Sequence, residues 1–464
     1  MSSTVFAYSG AEIDLSISSV FNFVAQCFHL LSAEVNSWRR VYAELSCQSP
    51  LTLTLVTSVG LVSLSLRGTV NRRPLAYALL TKSISDWERL VNVGYKTSID
   101  QLSEIQVLEI IAGTILIGHV EQFDTGIAIH TIACMRETRK VVDAVVEGRN
   151  CNVDLRPGSH FRFLIRSFLW WDTLSRTMGI GSGGLYPKSS FDLVRCWEQQ
   201  EDEDTISMTQ GHIGWPLDLL EAVARTQALG DQLESLGGIH TTSTRTEMKS
   251  IESQIRNCRP RIVSQDTILI AELRYVVYEA LQAGAHIYFA RRLLRETKSV
   301  QKEVEKVIGF LNRRDVTDDE AGHEGSSQLH VGFSTLEEQD DDDDEGEEEG
   351  LDSLPINSPQ SRPNYLTNVM KKRGVWQERA PDGALLWSYL QSAIAVEDSS
   401  TQDACRQTLN RWETFKDFGA LSMEAELLDL IWAKKREDRQ HRWSPGDICT
   451  KVMEESRWRQ LLIF

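Results

Sequence analysis

Apolar residues recur along this chain at intervals of three and four, the spacing that lines them up on one face of a helix. The clearest case is Asp403 to Arg436. There Cys405, Leu409, Trp412 and Phe415 make one stripe, and Leu421, Ala425, Leu428 and Trp432 make a second. Ser400 with Asp403 is placed to cap the first helix, and Gly419 supplies the permissive backbone that ends it. Lys434, Lys435 and Arg436 bring positive charge to the predicted end of the second helix, where the helix dipole favours it. The spacing predicts an antiparallel helix pair closed by Trp432.

The same period organises much of the chain upstream. Leu51 to Leu90 predicts a helix pair whose apolar first helix is followed by a second ending near Trp87. Leu102 to Val141 predicts another, in which an apolar helix from Ile105 to Val120 leads to Phe123 and an amphipathic run through His130. Further helices are predicted over Phe161 to Thr177, which contains Trp170, Trp171 and Asp172, and after the turn Gly214-Trp215-Pro216. Val276 to Leu294 carries Tyr278, Leu281, Ala285 and Tyr288 on one face, and Val300, Val304, Val307 and Leu311 make a last stripe. Alternating apolar and polar runs joined by Asn-Gly or Asp-Gly turns, the mark of hairpins, form no series here. An all-α fold of antiparallel helix pairs follows. With 464 residues, 41% of them apolar and twelve tryptophans, the chain can bury a sizeable core, and helical arrays often run on as one unit.

The order of residue types in the C-terminal pair, Arg411-Trp412, Phe415, Phe418-Gly419, an Ala/Leu helix and Ile431-Trp432, resembles the end of the fungal-specific transcription factor domain. That domain is the regulatory region of the fungal binuclear zinc-cluster activators. Trp170-Trp171-Asp172 is similar to the family's aromatic-Asp helix, Gly214 to Leu220 to its Gly-x-Pro-x-x-Leu-Leu turn, and Tyr288 with Ala290-Arg291-Arg292 to its aromatic helix followed by a basic pair. The resemblance covers most of residues 45–464. It implies a leader and first helix over 1–44, a first helical block over 45–313, a variable insertion over 314–364, and a C-terminal block of the same domain over 365–464.

Charge changes the picture only locally. Eleven of the seventeen excess negative charges lie between Glu337 and Glu349, which hold no Lys or Arg, so the remaining chain is mildly acidic. It carries no basic stripe of the kind that neutralises phosphates. The acidic run sits in a stretch from Arg314 to Asn364 rich in Asp, Glu, Gly, Ser and Pro, and like-charge repulsion with too little apolar surface reads as a disordered insertion. Phe333, Leu336, Leu351, Leu354 and Ile356 flank it, giving either a plain solvated loop or an acidic-hydrophobic segment of the kind that binds co-activators. Basic triplets stand at Lys371-Lys372-Arg373, a candidate nuclear import signal after an exposed segment, and at Lys434-Lys435-Arg436, which the helix end explains.

The eight cysteines are scattered, with no two closer than 17 residues, whereas a zinc module needs thiolates a few residues apart. The resembled family places six clustered cysteines ahead of its regulatory region; here about 45 apolar residues poor in Lys and Arg precede it, which speaks against direct DNA binding and for scattered, reduced thiols. A zinc-cluster exon upstream of Met1 would restore that module. The first ten residues carry no Lys or Arg, so no export signal is evident, and the apolar run from Leu51 to Leu66 is interrupted by Thr and Ser and too short to span a bilayer. The expectation is a soluble intracellular protein.

No catalytic or cofactor-binding constellation emerges. Met178 to Gly184 is glycine-rich but follows a helix, so it reads as a helix exit, not a phosphate cradle. Asp315, Asp318, Asp319 and Glu320 open the acidic insertion and lack the rigid neighbours a metal needs. His119 and His130 flank Phe123-Asp124, close enough to meet across a turn; the commoner role is a hydrogen-bonded or core histidine, as for His286. The resemblance implies a nuclear transcriptional regulator and not an enzyme, without cofactor or metal. It would act by contact with other transcription factors or co-regulators, as a homo- or heterodimer. A pocket between helices lined by Trp170 and Trp171 is the candidate site for a small-molecule effector, with plain core packing as the alternative for both rings. A cytosolic helical scaffold or small-ligand binder derived from that domain is the second reading.

Overall fold

The computed structural model describes residues 10–21, 36–66, 72–177, 186–201, 215–259, 268–295, 298–308, 382–416, 420–441 and 452. Among them every regular element is helical. The helices are α1 (Gly10–Ser19), α2 (Ser37–Gln48), α3 (Pro50–Leu66), α4 (Arg73–Thr97), α5 (Glu104–Asp124), α6 (Thr131–Val146), α7 (His160–Thr177), α8 (Lys188–Gln200), α9 (Leu217–Ser235), α10 (Thr242–Asn257) and α11 (Ile268–Phe289). A short helix α12 (301–308), α13 (Asp382–Ala395), α14 (Ser399–Lys416) and α15 (Ala420–His441) follow. Residues on both sides of 310–379 belong to one compact unit. The acidic insertion, the Gly-rich stretch 178–184, Gly419, Leu311 and the side chains of Trp412, Phe415 and Leu421 lie outside what is described.

Two helices at the centre explain the arrangement. Residues 110–124 of α5 and 161–177 of α7 are buried on every face. α5 meets this with Ile, Leu, Val and Gly nearly all round, whereas the charged positions of α7 are matched inside by ion pairs, as Arg162 and Arg166 are by Glu201. α5 packs against α3, α4, α6 and α7, and α15 also reaches it. Its start is held by Gln106, whose Oε1 accepts the Ser103 backbone N–H at 2.9 Å. The indole of Trp87 donates to the Ile110 carbonyl at 3.0 Å, and Gly113 leaves room for that ring.

Several boundaries differ from the sequence reading. α4 runs ten residues past Trp87 to Thr97, because Val91 continues its buried stripe. His130 is not part of an amphipathic run: the chain leaves the helix at Asp124 and re-enters it at Thr131, with His130 at the N-cap. The caps expected at Ser400 and Asp403 are replaced by Asp398, whose Oδ1 accepts the Thr401 N–H at 2.7 Å and the Ser400 hydroxyl at 2.8 Å. α15 continues to His441, so Lys434 to Arg436 do not end it. Instead Lys435 donates to the carbonyl of Ile394, near the C-terminus of α13, where a cation is equally favourable. α2 passes straight through the boundary expected at residue 44.

The basic pair after α11 forms the joint between the two blocks. A single π turn, Ala290–Leu294, buries Arg291 and Arg292 and ends at Arg295 in the left-handed region (φ 57°). Arg292 pairs with Asp231 and Glu234 of α9, while Arg291 Nη2 donates to Gln391 Oε1 of α13 at 2.8 Å. Beside them α11 and α13 cross closely at Gly284, where an added Cβ would lie 2.9 Å from the Ser388 Cα. Glycine to alanine in a helix normally stabilises by about 1 kcal/mol. At position 284 the sign reverses: Gly284→Ala is expected to cost about 1–3 kcal/mol by pushing α13 away, checked by urea unfolding, and an unchanged or raised midpoint would contradict this crossing.

Candidate functional site

α2 places Trp38 and Tyr42 one turn apart, and α5 does the same for His119 and Phe123. The faces meet. Trp38 lies against Tyr42 at 4.4 Å between ring centroids and edge-on to His119 at 6.1 Å. Trp171 of α7 closes the far side of His119 at 5.0 Å, and Phe163 and Phe21 meet Tyr42 and Trp38 at 6.4 Å each. Gly118 makes this possible, since an added Cβ there would stand 3.0 Å from the Trp171 ring. The result is an aromatic box with one imidazole at its centre.

Its polar atoms are unusual. The Trp38 indole N–H and the Tyr42 hydroxyl are fully buried and neither has a hydrogen-bond partner, although buried donors are normally matched. Burial alone pushes the Tyr42 phenol far up, and burial holds His119 neutral, its pKa lowered to about 3 against a small opposing bond from Gln122. Among these causes no charged neighbour appears. A neutral folded-state His119 means the unfolded chain alone takes up a proton as pH falls below about 6.5. Stability contributed by this site is therefore present above that pH and lost toward pH 3. Comparing urea unfolding at pH 7 and pH 5, the native protein is expected to lose about 2 kcal/mol more than His119→Phe; equal losses would mean that His119 is not held neutral.

Of the two tryptophans singled out from sequence, only Trp171 stands against this histidine. Neighbouring residues point about 100° apart around a helix. Trp170 shares its stripe with Leu174 and Thr177, and the Thr177 hydroxyl accepts from the Trp387 indole at 2.9 Å. Trp387 in turn packs on Trp215 at 5.1 Å and Tyr288 at 6.0 Å, a second aromatic cluster that joins α7 and α11 to α13. The two rings of Trp170 and Trp171 touch edge-on at 6.0 Å, and both are buried. Trp38, Tyr42 and Trp387 were missed from sequence; the i, i+4 aromatic pair on α2 was the available signal.

His119 and His130 do not face each other. His130 bonds Glu121 at 2.8 Å through its ring and again through its backbone N–H, and this bond raises its pKa. Glu121 also takes the Thr131 N–H and hydroxyl, so one α5 carboxylate caps α6. His286 bonds Glu303 of α12 at 3.0 Å. Both therefore fill ordinary structural roles.

Buried charges elsewhere come in matched sets. Glu201 takes Arg162 at 2.8 Å and Arg166 at 2.6 Å, and Asp172 pairs with Arg139 and Arg176. Glu424 of α15 departs from this: it is fully buried, neither oxygen has a partner, and desolvation pushes its carboxyl well up. No group of three or more His, Cys, Asp or Glu among the described residues could hold a metal ion, and no described helix is long and apolar enough to cross a membrane. Lys371 to Arg373 and Asp315 to Glu320 lie outside the described residues.

No curated protein and no solved structure matches the chain. The family model of the fungal specific transcription factor domain does, over residues 19–314. The matched segment begins upstream of residue 45, where the resemblance places the first helical block, and ends before the C-terminal pair α14 and α15. It takes in α2, α5 and α7, and with them every residue of the aromatic box. Since the match spans more than half of its length, the chain belongs to the fungal specific transcription factor domain family, which supports a role as a transcriptional regulator.

Proposed function

We propose that this protein regulates transcription in the nucleus by protein–protein contact, with the helical unit as its regulatory module and the aromatic box as the place where that module senses a small molecule. The family match carries the first part of this reading. The second is supported by two buried, unmatched donors within a ring of aromatic side chains. The regulator reading assigns no reaction to the chain, and the partners it implies are other transcription factors or co-regulators, or a second copy.

The two basic triplets part company on this reading. Lys435 is engaged by α13, and Arg436 lies 3.5 Å from Gln402, so the second triplet is part of the folded surface. Nuclear import then falls to Lys371-Lys372-Arg373. Chromatin association of the tagged native protein tests the reading. Promoter peaks that vanish when another DNA-binding protein is deleted are the expected result. Absence of peaks, with the tag confined to the cytosol under inducing conditions, would favour a cytosolic ligand binder or scaffold instead.

A further inference from the structure

The unmatched atoms of the aromatic box say what chemistry it would accept. Trp38 Nε1 can only donate, and the Tyr42 hydroxyl can donate or accept. Both are fully buried and both lack a partner; the buried Trp87, Trp387 and Trp432 indoles each donate, to Ile110 O, Thr177 Oγ1 and Ala393 O. The Trp215 indole of the second cluster is also unmatched but, lying just ahead of α9, has no second unmatched group one turn away among the described residues. A buried donor left unmatched has given up its water partner and gained none, which costs stability. In this protein that cost falls twice on one face of one helix, one turn apart, against a histidine that burial keeps uncharged.

The walls narrow the class further. Trp38, Tyr42, His119, Phe123, Phe163 and Trp171 present ring faces and edges, which favour a flat conjugated molecule. No charged side chain perturbs either Tyr42 or His119, so an ionised ligand would be stripped of water with nothing to balance it. Resting on the effector-sensing reading above, we infer that the box binds an uncharged, planar, carbonyl-bearing molecule whose oxygen accepts from Trp38 Nε1 and the Tyr42 hydroxyl.

Coumarin, a flat uncharged lactone, and its anionic analogue coumarin-3-carboxylate serve as paired probes on the purified full-length chain. Tryptophan fluorescence and melting temperature are followed as each is added. Coumarin is expected to quench saturably and raise the melting temperature, and the carboxylate to do neither. Tyr42→Phe removes one hydroxyl and leaves the ring, so it should weaken coumarin binding about tenfold. The free variant should melt no lower than the native protein, because an unmatched buried group has gone. Trp38→Phe should weaken binding likewise. The proposal is overturned if coumarin does not bind, if the carboxylate binds as well, or if Tyr42→Phe binds coumarin as tightly as the native protein. Promoter occupancy is measured separately, so loss of binding would leave the regulator reading standing, and loss of occupancy would leave the ligand site standing.

Discussion

Glu201→Ala is expected to cost about 3–5 kcal/mol, enough to unfold much of the population of a protein of ordinary stability. The Glu201 side chain is completely buried and accepts from two guanidiniums, Arg162 Nη1 at 2.8 Å and Arg166 Nη2 at 2.6 Å. Arg162 also donates to the Leu155 carbonyl at 2.6 Å and stacks 4.9 Å from the Trp197 ring, so it cannot swing out to water without breaking both. Removing the carboxylate takes from both buried guanidiniums the partner they share and, among the described residues, leaves only Asp154, already bonded to Arg156, as a carboxylate acting on Arg162. A buried ion cluster is not itself strongly stabilising, because desolvation offsets most of the attraction. The triple variant Glu201→Ala, Arg162→Leu, Arg166→Met should therefore recover most of the loss. Urea unfolding of the three proteins decides it. A single variant within about 1 kcal/mol of the native protein would mean that the three charges do not share one dry site.

Trp432→Ala is the second large effect, at about 3–5 kcal/mol. The ring is almost wholly buried, its N–H donates to the Ala393 carbonyl at 3.0 Å, and Arg406 lies 5.8 Å from its centroid. Trp432 thus holds α15 to α13 and borders the charged contact of Arg406 with Asp429, which ties α14 to α15. Loss of the ring should act first on α13, α14 and α15. Hydrogen exchange should show their amides exchanging far faster while those of α3, α5 and α7 stay protected, since local units open at their own free energies. Equal loss of protection throughout would show that the C-terminal block and the matched segment open as one unit.

Helix type was legible wherever one face is apolar, because a period of three and four is imposed by helix geometry whatever lies opposite. The stripes at Tyr278, Leu281, Ala285 and Tyr288, and at Val300, Val304 and Val307, are buried as expected. Ends were less legible. Asp398 caps α14 in place of Ser400, and α15 outruns its basic triplet, since the dipole of a neighbouring helix attracts Lys435 as well as its own would. Family membership was also legible, from the shared order of loose motifs, although the matched segment turned out to exclude the pair that first suggested it.

The candidate site was only half visible. The sequence offers Trp170 and Trp171 together as aromatic groups lining a pocket, yet one turns toward His119 and the other shares a stripe with Thr177. Two adjacent positions on a helix cannot serve one face. Trp38 and Tyr42 stand about 130 residues away from Trp171 in sequence, and nothing local marks their donors as unmatched.

What the sequence determined by itself is the all-α class, the placing of most helices, the paired layout and the family, because these follow from local periodicity and from the order of segments. Tertiary structure alone decided which charges neutralise one another, where Gly118 and Gly284 let helices or rings approach, and which aromatic groups meet around His119. Those outcomes depend on contacts between residues far apart in the chain, and side-chain spacing along a helix carries no information about what a distant helix will present to it.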